Sequence, residues 1–193
     1  WADKLEGGKH QNEVGVGPHP HRGFSPVTFI FKGGVHHRDS LGTSAVVYEG
    51  GTQWMNSGSG IVHSERPAKE IAEEGGDFEI IQFWINAPAA NKMDEASYQP
   101  ISKEETPHYN SADGLIETYL VAGDARELNG PISPYSNVLI SRSVGAKGGQ
   151  EEFEIPEDYN ALIYMLDGSL EINDKTVSGK NLIHFNNDGT SIA

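Results

Sequence analysis

The stretch "HPHRGFSPVTFIFKGG", residues 19–34, places two histidines one residue apart at the mouth of an alternating apolar run that ends on Gly33-Gly34. Successive side chains of an extended chain point to opposite sides, so Val27, Phe29 and Phe31 share one face and Thr28, Ile30 and Lys32 the other. A run of this period predicts a strand with two distinct faces. The glycine pair supplies a tight turn into "VHHRDS", and the two segments are expected to pair as a hairpin. Pro20, between the histidines, removes a ladder donor and stiffens the entry to the strand.

The same period of two recurs on both sides of this stretch. It is seen in "SAVVYEGG", in "SGIVHSE" and in "FEIIQFWIN", where Ile81, Phe83 and Ile85 alternate with Ile80, Gln82 and Trp84. The 23 glycines and 10 prolines punctuate short segments, which is the pattern of sandwiches and barrels rather than of helical bundles. From Ala87 to about Ser111 the sequence turns polar and Pro-containing, and strand-like segments resume with "LIETYLVAG", "NVLISRSV", "NALIYMLDGSLEI" and "KTVSGKNLIHF". We therefore expect an all-β protein of two similar units: a first domain over 1–98, a linker over 99–113 and a second domain over 114–193.

Composition excludes several classes. With 14 basic against 28 acidic residues the net charge is −14, which repels phosphate backbones and argues against direct nucleic-acid binding. There is no cysteine, so any metal must be held by nitrogen and oxygen ligands. The apolar runs fall far short of the roughly 20 residues that cross a bilayer, and the expectation is a soluble, cytoplasmic monomer. No phosphate-cradling or dinucleotide glycine motif and no nucleophile elbow is present.

His19 and His21 point the same way on a strand, with Cα atoms about 6.6 Å apart, a gap that converging imidazoles can close onto one ion. Alone, an HxH more often marks surface or hydrogen-bonded core histidines. A second pair changes that reading: in "GSGIVHSERP", His63 and Glu65 repeat the i, i+2 spacing just after Gly58-x-Gly60. Three imidazoles and a carboxylate suit a divalent first-row metal, and a six-coordinate ion such as Fe(II) would keep two positions for substrate or O2.

The segments "HPHRGF", "HHRDSLG", "GGTQWM" and "GSGIVHSERP" resemble the signature segments of the pirin family, bicupins of the cupin superfamily. The resemblance implies two jelly-roll β-barrels and an iron site of His19, His21, His63 and Glu65. In the general cupin pattern a glutamate follows the first histidine pair. Ser25 stands there, and the resemblance assigns the carboxylate ligand to Glu65 instead. It further implies a dioxygenase that cleaves quercetin-type flavonols, or a related chelating enol, with O2, and in which Glu65 serves as base. The alternative it carries is a metal- and redox-dependent regulator that binds a protein partner. Nickel, manganese, copper or zinc would also suit the donor set. The second unit has only His184 in its strands and no HxH, so it is expected to be metal-free. Pirins begin before Trp1 and continue past Ala193, so the second barrel is expected to be incomplete in this chain.

The remaining candidates receive structural readings. One of His36 and His37 is expected to face the site and could orient a ligand. Arg22 and Arg38 are expected to pair with Asp39 and Glu13, Trp54 and Met55 to lie in the core, and His108 to sit at the surface.

Overall fold

Alternating side chains along nine strands build the first part of the molecule, seen in a computed structural model that describes residues 1–193. These are β1 (Ala2–Leu5), β2 (Val16–His21), β3 (Phe24–Lys32), β4 (Gly34–Asp39), β5 (Ser44–Tyr48), β6 (Thr52–Asn56), β7 (Ile61–Pro67), β8 (Gly76–Asn86) and β9 (Ser97–Ile101). They form a five-stranded sheet of order β1-β8-β3-β6-β9 and a four-stranded sheet of order β2-β7-β4-β5, with antiparallel pairing throughout. Among them lies one helix, α1 (Lys69–Glu74), of six residues. No helix is long and apolar enough to cross a membrane.

Both faces of β3 are covered, as its two-sided apolar pattern requires. Val27 and Phe29 pack with Trp54, Val121, Ala122 and Ile132, while Ile30, on the opposite face, packs with Val35, Val47 and Phe78. The second cluster draws on both sheets, which places a core between them. Complete burial of such side chains is worth about 1.5–3 kcal/mol each.

The expected hairpin between β3 and β4 does not form. β3 pairs with β6 and β8, and β4 pairs with β5 and β7, so the chain changes sheets at Gly33. A hairpin would set Lys32 beside Val35 and Ile30 beside His37 in one sheet; the crossover instead lets Ile30 and Val35 meet in the interior cluster. Gly33 makes the corner with φ +78, and a Cβ there would lie 2.7 Å from the carbonyl oxygen of Asp77. The glycine pair makes a turn as expected, but the turn carries the chain into the other sheet.

The chain divides into two compact units. The first comprises Trp1–Tyr109 and Tyr119–Arg142, and the second Asn110–Thr118 and Ser143–Ala193. β9 pairs with β6, so the start of the polar stretch read as a linker is a strand of the first unit. Residues 119–142 join that unit because Val121, Ala122 and Ile132 enter its core. The second unit contains antiparallel pairs of Leu162–Met165 with Asn181–His184 and of Ser169–Ile172 with Lys175–Ser178. The latter turns through Asn173 and Asp174 at φ +46 and +63, the left-handed pair that two-residue hairpins favour.

Candidate metal centre

Antiparallel pairing of β2 with β7 brings the two histidine motifs together. His19 lies directly opposite His63, and the register shifts between Val16 and His19, so that Val16 faces Glu65. Because His19 and His21 are two residues apart, their rings lie on one side of β2, and three imidazoles converge. Nε2 of His19 is 3.0 Å from Nε2 of His21 and 3.1 Å from Nε2 of His63. His21 and His63 are buried and His19 partly so.

These separations suit ligands that share one ion, and they are equally the lengths of N–H···N hydrogen bonds. His19 Nδ1 lies 2.8 Å from the Gly17 carbonyl oxygen, which can only accept, so in the neutral ring Nε2 carries a lone pair. Two nitrogens at 90° about an ion with bonds of about 2.1 Å are ~3.0 Å apart, against ~3.4 Å for a tetrahedral pair. The observed 3.0 and 3.1 Å are within reach of two nitrogens that share one ion. Burial, followed by the charges of His19, His37 and His21, pushes the pKa of His63 down to about 3. Burial and then His19 lower that of His21. Both rings are therefore neutral near pH 7, the form in which imidazole binds a cation. The donor set fits a divalent first-row ion.

Glu65 is buried beside the triad, its Oε2 4.0 Å from His63 Nε2. Oε1 accepts from Thr28 Oγ1 at 3.3 Å and from Gln53 Nε2, and Oε2 accepts from Gln82 Nε2 at 2.8 Å. Both amides are themselves oriented. Tyr98 donates to Gln53 Oε1 at 2.8 Å, and Trp84 Nε1 donates to Gln82 Oε1 at 3.0 Å. Burial, together with the charges of Glu65 and Asp39, raises the Tyr98 hydroxyl above its usual range and keeps it a donor.

His37 and His36 alternate as expected. His37 is fully buried, stacked on Tyr98 with ring centroids 3.7 Å apart, and it contacts both Asp39 and His63. His36 turns away to Gln11 and Ser44. The expected arginine pairs are absent: Arg22 donates to Met93 Sδ and Arg38 to Gln11 Oε1. Asp39 is instead occupied by His37 and by the backbone N–H groups of Leu41 and Thr43. Trp54 and Met55 both lie in apolar clusters as expected, and Met55, with Gln53 on the other face of β6 from Trp54, also lines the space around His37, His63 and Glu65. His108 and His184 are exposed.

An aromatic rim borders the triad. Trp84 is 61% exposed, with its ring 5.4 Å from that of His21 and 4.6 Å from that of Phe24. A cavity of about 250 Å³, with Val16, Val35, Phe78 and Ile80 in its walls, reaches Glu65 and Gln82. Sequence reading missed Thr28, Gln53, Gln82 and Tyr98. Their one signal was a polar residue on the site-facing side of a period-two strand, as Gln82 is between Ile80 and Trp84.

Residues 2–85 match the Pirin family model. A Pseudomonas aeruginosa protein with the provisional name quercetin 2,3-dioxygenase is 33% identical over 168 residues, covering 86% of this chain and 58% of that relative. A solved quercetin 2,3-dioxygenase from Acinetobacter baumannii superposes with a TM-score of 0.93 at 30% identity, over 100% of this chain and 66% of that one. The segment 2–85 belongs to the pirin family. The chain's fold is the pirin bicupin fold, and it spans less than two thirds of the length of these two relatives. The pirin YhhW of Escherichia coli, solved in complex with nickel(II), has the same fold, with a TM-score of 0.62 at 21% identity over 99% of this chain and 73% of that one.

Proposed function

We propose that this protein is a metal-dependent dioxygenase that cleaves a quercetin-type flavonol, or a related chelating enol, with O2. One O2 is consumed and one ring carbon leaves as carbon monoxide. The observation that carries the reading is the convergence of three Nε2 atoms at ligand spacing beside a carboxylate held by fixed donors. His19, His21 and His63 would hold the ion, with Glu65 as the fourth ligand, and Fe(II) is the metal we assign. When bound, such an ion supplies Lewis acidity and open positions for substrate and O2.

The chain's own residues set the rest. Gln53, Gln82 and Thr28 fix the direction of the Glu65 carboxylate, so that one oxygen faces the triad and can take the enol proton. Trp84 and Phe24 offer ring faces against which a planar substrate stacks. The neighbouring cavity, which reaches Glu65, offers apolar walls against which the rest of such a substrate can lie. The acid or base role of Glu65 is bounded, because a cation beside a carboxylate lowers its basicity.

The test is aerobic incubation of Fe(II)-loaded protein with quercetin, monitoring flavonol absorbance and carbon monoxide, alongside elemental analysis of protein purified without chelator or nickel resin. Turnover that is lost in His63→Ala is the expected result. Stoichiometric metal without turnover would refute the dioxygenase reading and favour the redox-dependent regulator; equal substoichiometric metal in wild type and His63→Ala would refute the site itself.

A further inference from the structure

His63 contacts the triad through one ring nitrogen and a second buried histidine through the other. Its Nδ1 lies 3.3 Å from Nδ1 of His37, and Nε2 of His37 lies 2.8 Å from Oδ2 of Asp39. His37 is 0% exposed and His63 2% exposed, so water does not compete for these contacts. We propose that Asp39 and His37 are positioning residues that lock His63 in its Nδ1–H tautomer and so keep its Nε2 bare for the cation.

The chain of donors leaves little freedom. Oδ1 of Asp39 already accepts from the backbone N–H groups of Leu41 at 2.9 Å and Thr43 at 3.0 Å, so the carboxylate cannot rotate and Oδ2 faces His37 as an acceptor. His37 must then carry its proton on Nε2, which leaves its Nδ1 an acceptor. An acceptor at that position requires His63 to donate from Nδ1, and a neutral ring that donates there has no proton on Nε2. The parallel stack on Tyr98, at 3.7 Å and 6°, prevents His37 from turning out of line. His19 reaches the same state by a shorter route, through the Gly17 carbonyl. His19 and His63 are thus both fixed as lone-pair donors before any ion arrives, at the cost of lone pairs 3.1 Å apart that a bound cation, or a proton shared between them, would relieve.

The same geometry specifies the perturbation that reverses it. In Asp39→Asn the two loop N–H groups require the carbonyl oxygen at the Oδ1 position, which turns the amide NH2 toward His37. That group can only donate. His37 must then accept at Nε2 and donate from Nδ1, His63 must accept at Nδ1, and its proton moves to Nε2, where it blocks the ion.

The inference rests on the reading of the triad as a cation site, yet its first readout needs no metal. Long-range ¹H–¹⁵N correlation spectra of the metal-free full chain, at a pH where the imidazoles are neutral, should show His63 with a protonated Nδ1 and a bare Nε2. Asp39→Asn should show the inverse. Competition titration with a chromophoric chelator should then give a 10–100-fold loss of Ni(II) affinity in Asp39→Asn, the usual effect of disturbing a ligand's supporting hydrogen bond. His37→Phe, which keeps the ring stack but removes the relay, should lose affinity similarly, with His63 populating both tautomers. A wild-type His63 that carries its proton on Nε2 overturns the proposal whether or not any variant folds, and so does an Asp39→Asn protein with unchanged tautomer and affinity. If the tautomers are as expected but wild-type protein binds no Ni(II) or Fe(II), the cation reading fails and the relay stands.

Discussion

Lowering the pH from 8 to 5.5 should destabilise the metal-free protein, and His63 should account for much of the loss. Its pKa is pushed from the ordinary 6.5 down to about 3 in the folded chain, chiefly by burial. Between those values the unfolded state binds a proton that the folded state does not, so stability falls as pH falls through this window and is fully retained above 6.5. At pH 5.5 the unfolded histidine is about ten-elevenths protonated, which favours unfolding by about 1.4 kcal/mol at 25 °C. The ring is 2% exposed, so this figure needs no discount for solvent screening. Burial also lowers the pKa of His21, His36 and His37, and these add to the loss in the same direction. Against a total stability of about 5–15 kcal/mol, the effect is readily measured. Urea unfolding in the presence of chelator, at both pH values, for wild type and His63→Gln, is the assay. The variant should show a pH difference smaller by about 1.4 kcal/mol. Equal pH differences in the two proteins would refute the reasoning.

Three further outcomes follow from the geometry. Gly33→Ala, at φ +78 and with a Cβ 2.7 Å from the Asp77 carbonyl oxygen, should lose at least about 1–2 kcal/mol in urea denaturation, because a left-handed alanine is strained even without the clash. Gln82→Met should cost about 1–3 kcal/mol by the same measurement, since it strips a donor from the buried Glu65 carboxylate, whereas water replaces the acceptor of the exposed Trp84 Nε1. Trp84→Ala, at an exposed position, should leave stability within about 0.5 kcal/mol, yet it should weaken quercetin binding roughly 3–10-fold in an equilibrium titration if the ring is a stacking platform.

Much of the site was legible in the sequence because a strand converts spacing into direction. His19-x-His21 and His63-x-Glu65 each announce two side chains on one face, and the structure joins the three histidines through a single strand pair. What the spacing could not disclose was which strands pair. Gly33-Gly34 signals a turn equally well whether the chain doubles back or crosses to another sheet, and only the competing partners of β3 and β4 decide between them. The hydrogen-bond supports were hidden for a similar reason. Asp39 looked like a partner for an arginine, because charge is visible in a sequence and a buried line of sight to His37 is not. Gln53 and Gln82 lie 12 residues before and 17 after Glu65, and nothing local ties an amide to a carboxylate at such distances.

The crossover at Gly33 bears on the order in which the molecule assembles. No two neighbours in the five-stranded sheet are consecutive in the chain, and the four-stranded sheet contains only one consecutive pair, β4 with β5. Contacts this remote place a domain among the slow folders, in the millisecond-to-second range rather than microseconds. The imidazoles of residues 19 and 63 cannot meet until a loop of more than forty residues has closed, so an ion held there would be a late arrival that seals a finished barrel rather than a seed that starts one.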